Sequence, residues 1–359
     1  MVTLRPLLDG LRLVGSRLLR MDGALRSPLT NSRQQFAQRA GVVLELWDDH
    51  GNHGVGEAAP LAGHSTESLD DCTTALTDLH QRMGTAAPDG WPLCPWLDNI
   101  PAARFAWESA LCDLVARARG QSVATLLGGQ SLQAVSRNAL VQDRAEVAQA
   151  LQRGIRTLKL KVGDPQKEAD KELHFLRALR REFGMAFALR LDANGVWSLD
   201  EARDRLASYA GLAPEFVEQP TAPEELSRLG VCAVPWAADE SLACPQQIDA
   251  LLEAPGCVAW VIKPALLGLR RARELAVRAQ QHGHGVVITH LLDGPIGLAA
   301  ACELALSLPS SPLCCGLDRH PGLSVWPKVA LPQHQESDAL IVPSGRSGLG
   351  FLRQGLPWT

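Results

Sequence analysis

Lys161, Asp192, Glu218, Asp239 and Lys263 follow one another at steps of 31, 26, 21 and 24 residues. Each sits at the end of a short apolar run: "TLKLK", "LRLDAN", "FVEQP", "AADES" and "VIKP". Lys159 stands two residues before Lys161, so both lysines share one face of a strand whose other face carries Leu158, Leu160 and Val162. Three carboxylates gathered in a confined space repel unless a cation sits among them. An all-oxygen set suits a hard ion, Mg2+ above all. A lysine beside that ion is crowded by like charge and by burial, which disfavours its ammonium form and makes it a usable base near neutral pH. Taken singly, every piece has an ordinary reading. A K-x-K pair is commonly the solvated face of a strand. "DAN" and "DES" make turns or helix caps, "EQP" ends a strand ahead of a proline, and "IKP" can hold a surface lysine. The set becomes a site only if the fold brings its members to one edge.

Each step has room for one helix, one strand and their loops, and from about residue 135 the chain keeps that rhythm. The runs "SRNALV", "TLKLKV", "FALRLDA", "PEFVEQP", "VPWAADES", "VAWVIKP", "GVVITHL" and "LCCGLD" alternate with amphipathic stretches such as "DKELHFLRALRREFG" and "LRRARELAVRAQQHG". Eight strand-like runs with helices between most of them predict an α/β fold, a (β/α)8-type, TIM-like barrel whose strand ends converge at the C-terminal face. An open doubly wound sheet shows the same alternation, but no GxGxxG opens a helix after the first strand. The first third mixes sheet and helix. A hairpin runs from "AGVVLELWDD" to "HGVGEAA" with Gly51 in its turn. A helix over "TESLDDCTTALTDLHQRM" is expected to be capped by Ser65 or Thr66, and a second, "AARFAWESALCDLVARARG", to close at Gly120. The expected divisions are an α+β part over 1–130, the barrel over 131–320, and a C-terminal segment over 321–359 that packs back on the first part.

A length of 359 residues allows a barrel-sized domain plus a smaller one. The net charge of -4, with no concentrated basic run, gives no general attraction to nucleic acid or anionic membrane. Arg5, Asp9, Arg12, Arg17 and Arg20 interrupt the N-terminal leucines, so no signal-peptide core is expected, and no uncharged run is long enough to span a bilayer. Nine scattered cysteines without a CxxC pair predict reduced thiols in a cytoplasmic protein. No nucleic-acid or membrane partner is expected, and the residues set no oligomeric state.

These motifs resemble the enolase superfamily in its muconate-lactonizing-enzyme subgroup, over most of the chain. Lys159 and Lys161 resemble its lysine pair on the second barrel strand. Asp192 in "LDANGVW", Glu218 in "VEQP" and Asp239 in "DES" resemble its metal ligands on the next three strands, and Lys263 in "IKP" its sixth-strand lysine. "GVGEAAPL", around Glu57, resembles its capping-domain loop, and "ARFAWESALCDLVARARG" the helix ahead of its barrel. The resemblance implies an N-terminal α+β capping domain, Mg2+ (or Mn2+ in its place), a small-molecule carboxylate as partner, and a base that removes the proton next to a carboxylate. "VVITHLLDGPIGLAA" and "CCGLDRHPGL" are similar to segments of the o-succinylbenzoate synthase family, whose reaction is a dehydration in menaquinone biosynthesis. By that resemblance Lys161 takes the α-proton, Lys263 stays cationic on the opposite side, and Lys159 helps lower the pKa of Lys161.

The same resemblance puts Asn194, Glu240, Thr289, His290, Asp293 and Glu57 near the substrate. Arg33 and Arg39 are expected as carboxylate-binding forks in loops that close over the barrel mouth, 29–40 and 54–60. The chain departs from the family on the seventh strand, where Asp293 replaces a glutamate and Gly294 a serine. Rivals within the subgroup are N-acylamino-acid racemases, dipeptide epimerases and muconate cycloisomerases. Epimerases hold a substrate ammonium with Asp-x-Asp on the eighth strand, where this chain has Asp318-Arg319-His320.

Overall fold

The structure is a computed structural model that describes residues 11–30, 35–77, 79, 94–128, 130–164, 168–318, 332 and 338–351. Arg33 and most of the expected C-terminal segment lie outside the described residues. An antiparallel sheet opens the chain, made of β1 (Leu13–Thr30), β2 (Gln35–Asp48) and β3 (His53–Ala58) in that order. β1 and β2 pair from Leu13↔Asp48 to Thr30↔Gln35, with a bulge beyond Ala24. Gly51, at φ 81, turns β2 into β3 as the hairpin pattern predicts. The expected mouth loops are largely strand, since Gln35–Ala40 belongs to β2 and Gly54–Ala58 to β3. Helix α1 (Leu69–Leu76) is capped by Ser68 rather than Ser65 or Thr66. Ser68 and Asp71 exchange side-chain and backbone hydrogen bonds in a capping box, whereas the Ser65 hydroxyl accepts from Leu61 N.

Helix α2 (Pro101–Ala118) is buried nearly all round, with β3 on one side and the barrel's helices on the other. The strand comes so close that a Cβ at Gly56 would lie 1.9 Å from Ala106 O, and one at Gly54 2.1 Å from Ala110 O. Only glycine fits at either place.

After α3 (Val123–Gly128) and the short β4 (Val135–Ser136) comes the parallel sheet. Its strands stand in chain order: β5 (Ala139–Leu140), β6 (Thr157–Lys161), β7 (Ala188–Asp192), β8 (Pro214–Glu218), β9 (Trp236–Ala238), β10 (Cys257–Ile262) and β11 (Gly285–Ile288). The eighth run, "LCCGLD", closes the ring. Cys315 N donates to Ser136 O at 2.7 Å, Asn138 N to Cys315 O at 2.9 Å, and Gly316 N to Ile288 O at 2.9 Å. Closure excludes the open doubly wound alternative. Helices α4 (Arg144–Gln152), α5 (Ala169–Phe183), α6 (Leu199–Tyr209), α7 (Ile248–Leu252), α8 (Leu269–Gln281) and α9 (Pro295–Leu306) fill the links, except that β8 reaches β9 through the 3-10 turn Leu226–Arg228. Phe216, Ala237, Ala259, Val261, Val287 and Leu313 form a small core inside the ring, distinct from the large core under the helices and capping sheet. β12 (Leu340–Ile341) pairs with β4, and Leu349 N donates to Asp113 of α2.

Buried acids secure helix starts that lie far away in sequence. Glu57 accepts from Gly294, Ile296 and Gly297 N at the start of α9, Glu108 from Arg270 N in α8, and Glu303 from Ala124 N in α3. All nine cysteines are free thiols. Among the described residues no helix is long and apolar enough to cross a membrane.

Candidate active site

Parallel register brings the charged set to one edge. Lys161 pairs with Asp192, Asp192 with Glu218, and Asp239 and Lys263 follow directly on β9 and β10. Lys159 Nζ donates to Asp192 Oδ2 at 3.1 Å and to Glu218 Oε2 at 2.8 Å. Lys263 Nζ is bonded to both carboxylate oxygens of Asp239. With the lysines drawn onto the acids, no three His, Cys, Asp or Glu side chains among the described residues gather closely enough to hold an ion as they stand.

The donor set nevertheless fits a hard cation. Glu218 Oε1 and Glu240 Oε2 are buried without a hydrogen-bond partner. Asp239 is pushed up to about 8, by burial first and then by Glu240, against the pull of Lys263. Burial, and then Asp192, raises Glu218 as well, with Lys159 opposing. These acids are short of positive charge, and a divalent ion among their oxygens would supply it. Asp192 alone is held below the ordinary carboxylate range, because Lys159, Lys161 and Lys263 outweigh its burial.

The three lysines differ. For Lys159, burial is outweighed by Asp192 and Glu218; for Lys263, by Asp239 and Glu240; both ammonium groups are stabilised. Lys161 as a whole residue is open to solvent, yet protein crowds it closely. Lost hydration, with the Lys159 and Lys263 charges, holds it below the ordinary lysine value, against the pull of Asp192 and Glu240.

Of the expected substrate-side residues, Asn194 and Glu240 stand at the ends of β7 and β9, joined at 3.3 Å. Thr289 Oγ1 donates to Gly316 O at 3.0 Å. His290 is not free for a substrate carboxylate. Its Nδ1 accepts from Asp293 N at 3.2 Å, which fixes the proton on Nε2, and Nε2 donates to Asp318 O at 2.9 Å. Arg39 is a buried clamp on backbone carbonyls rather than a loop fork for carboxylates, and Glu57 is spent on the start of α9. Asp293 is buried beside Arg39 and Glu57, its pKa raised by burial.

Two residues with a role here have only faint sequence signals. Gln219, at φ 40, accepts from Asp239 N and Ser241 N and donates to Ser241 Oγ, so it ties the β8 end to the β9 end. Arg190 lies one inward position below Asp192, over the Phe216 ring at 4.7 Å, and donates to Cys314 O. The period-2 pattern of "RLD" puts Arg190 on Asp192's face. Along β5 and the eighth run, no acid among the described residues is free to act. Leu140, in register with Lys159, is 45 % exposed, and Gly316 adds no side chain. Asp318 is held in a bidentate pair by Arg153 at 2.8 and 2.9 Å, with Arg137 3.6 Å away.

Comparison with known proteins follows the same outline. Residues 142–352 match the family "Enolase C-terminal domain-like", and residues 16–113 match "MenC, N-terminal domain". The o-succinylbenzoate synthase of Thermosynechococcus vestitus is 31% identical over 82% of this chain and 90% of its own. The L-Ala-D/L-Glu epimerase of Clostridium acetobutylicum is 28% identical over 78% of this chain and 83% of its own. A dipeptide epimerase from Methylococcus capsulatus, solved with Mg and the dipeptide L-Arg-D-Lys, superposes with a TM-score of 0.79 at 25% identity, over 94% of this chain and 99% of that one.

Proposed function

Because the chain belongs to the enolase superfamily, we propose that it performs the o-succinylbenzoate synthase reaction, the dehydration of 2-succinyl-6-hydroxy-2,4-cyclohexadiene-1-carboxylate to 2-succinylbenzoate. Asp192, Glu218 and Asp239 would hold Mg2+, which when bound supplies positive charge where the substrate carboxylate gains negative charge. Lys161 takes the proton next to the carboxylate, and the electrons of that C–H bond move toward the carboxylate. The C–O bond to the hydroxyl then breaks on the same face, and the proton now on Lys161 leaves with the hydroxyl as water. Lys263, on the opposite side, stays cationic beside the developing charge, and Lys159 keeps Asp192 and Glu218 in place.

What supports this reading over an epimerase is Asp318. A dipeptide brings an ammonium group that needs a free acid on the eighth strand, and Asp318 is committed to Arg153 and Arg137. Leu140 and Gly316 beside it suit an uncharged carbon ring. An N-acylamino acid carries no ammonium, and two lysines at one mouth would suit its racemisation, so N-acylamino-acid racemase is the second reading. The test mixes purified protein with Mg2+ and the cyclohexadiene and follows loss of its absorbance, with N-succinylamino acids and dipeptides in parallel. Fastest turnover of the cyclohexadiene is expected; faster turnover of an amino-acid derivative would transfer the assignment to the racemase.

A further inference from the structure

Arg39 lies on β2, in the capping sheet, with only 4% of its surface exposed. Its guanidinium reaches across to the loop that follows β11. Nε donates to Leu292 O at 3.1 Å and one terminal nitrogen to Leu291 O at 3.0 Å. Its remaining bonds go to the carbonyls of Ala59, Pro60 and Ala40. Leu292 is left-handed, at φ 56, a conformation that crowds a leucine's Cβ against the following carbonyl oxygen. The two loop carbonyls taken by Arg39 are those of this strained residue and its predecessor. The ends of the loop are fixed otherwise: Thr289 is tied to Gly316 O, and Glu57 takes the amides of Gly294, Ile296 and Gly297.

We propose that Arg39 is a positioning residue for the reaction: by holding Leu291 and Leu292 in their strained turn it fixes the wall of the barrel mouth beside Lys263. The proposal rests on the assigned chemistry only in taking that mouth as the substrate's seat. A planar fork spans several carbonyls at once, and the single ammonium of a lysine does not. Without the fork, Leu292 relaxes to negative φ and the wall moves.

Asparagine tolerates the left-handed region, so Leu292→Asn removes the strain that Arg39 opposes. The test compares wild type, Arg39→Lys, Leu292→Asn and the double variant, all with Mg2+, by steady-state kinetics on the cyclohexadiene and by amide hydrogen exchange. Arg39→Lys is expected to raise KM about tenfold with kcat within about threefold, a loss of substrate seating rather than of chemistry. Exchange should quicken over residues 289–294. Leu292→Asn alone should keep the slow wild-type exchange over residues 289–294, and in the double variant it should restore that slow exchange and bring KM back to the value of Leu292→Asn itself. Unchanged exchange at the loop, or faster exchange spread over β2, β3 and α9 with no rescue by Leu292→Asn, overturns the proposal. A wild-type protein that turns over no cyclohexadiene defeats the assigned reaction, and the exchange pattern still decides the role of Arg39.

Discussion

Lys161 and Lys263 carry the same functional group in opposite surroundings. One is open and deprived of hydration; the other is buried on a carboxylate. Replacing Lys161 by alanine should therefore lower kcat by a factor of about 100 to 10,000, the usual worth of a positioned base. Mg2+ binding, followed by calorimetry, should persist, since Lys161 donates to none of the three acids within the described hydrogen bonds. A variant that keeps wild-type turnover would remove Lys161 from the chemistry. At this scale the charged set at the strand ends was legible because its information is in residue type and spacing, and parallel register brings it to one edge. Arg39, Glu57 and His290 were misread for a physical reason. Their partners are backbone atoms, which every residue has, and for Arg39 and Glu57 those atoms lie 252 and 237 residues away. No local pattern marks a side chain whose task is to satisfy a distant carbonyl or amide.

Among the elements, β3 and α2 are set by what is missing from the strand. A methyl group at Gly56 would meet the Ala106 peptide, which is main chain and has no rotamer to turn away. Gly56→Ala should cost about 1–3 kcal/mol, or more if the strand cannot shift, read as a lower urea midpoint with an unchanged slope. A midpoint equal to wild type would mean that β3 and α2 have slack between them. The barrel strands were legible because short apolar runs recur with helices between them. β1 was not: "LRLVGSRLLRMDGALR" puts leucines and arginines on both faces, so neither period stands out, and its pairing comes from β2. The α1 cap lies two or three residues beyond the expected Thr66 or Ser65 because serine and threonine crowd that stretch, and only Ser68 has an acid at the capping-box spacing.

For the whole molecule, buried acids make stability depend on pH. Burial pushes both Glu57 and Glu108 up to about 7, with backbone amides pulling the other way. In the unfolded chain these groups lose their protons near 4.5. Between that value and 7 the folded form holds protons that the unfolded form has released. Stability is thus fullest below about 4.5 for these two groups, falls as pH rises through 7, and levels off above. At about 1.4 kcal/mol per pH unit, each contributes up to about 3 kcal/mol. Urea midpoints should fall between pH 5.5 and pH 8, and Glu57→Gln should flatten part of that slope. A midpoint that holds steady or rises across this range would contradict the assignment of these acids as protonated when buried.

The glutamates that secure α8 and α9 also bear on the order of assembly. Glu108 leaves the ribosome 162 residues ahead of Arg270, and Glu57 leaves 237 residues ahead of Gly294. A growing chain therefore displays the caps long before the helices they receive exist, and the last-made helices find their docking points already built. Synthesis from the N-terminus supplies a template first and the closing segment of the ring last, so a chain cut short before residue 297 would leave Glu57 buried beside empty space or force it back into water. The capping sheet is then as much an assembly jig for the barrel as a cover for its mouth.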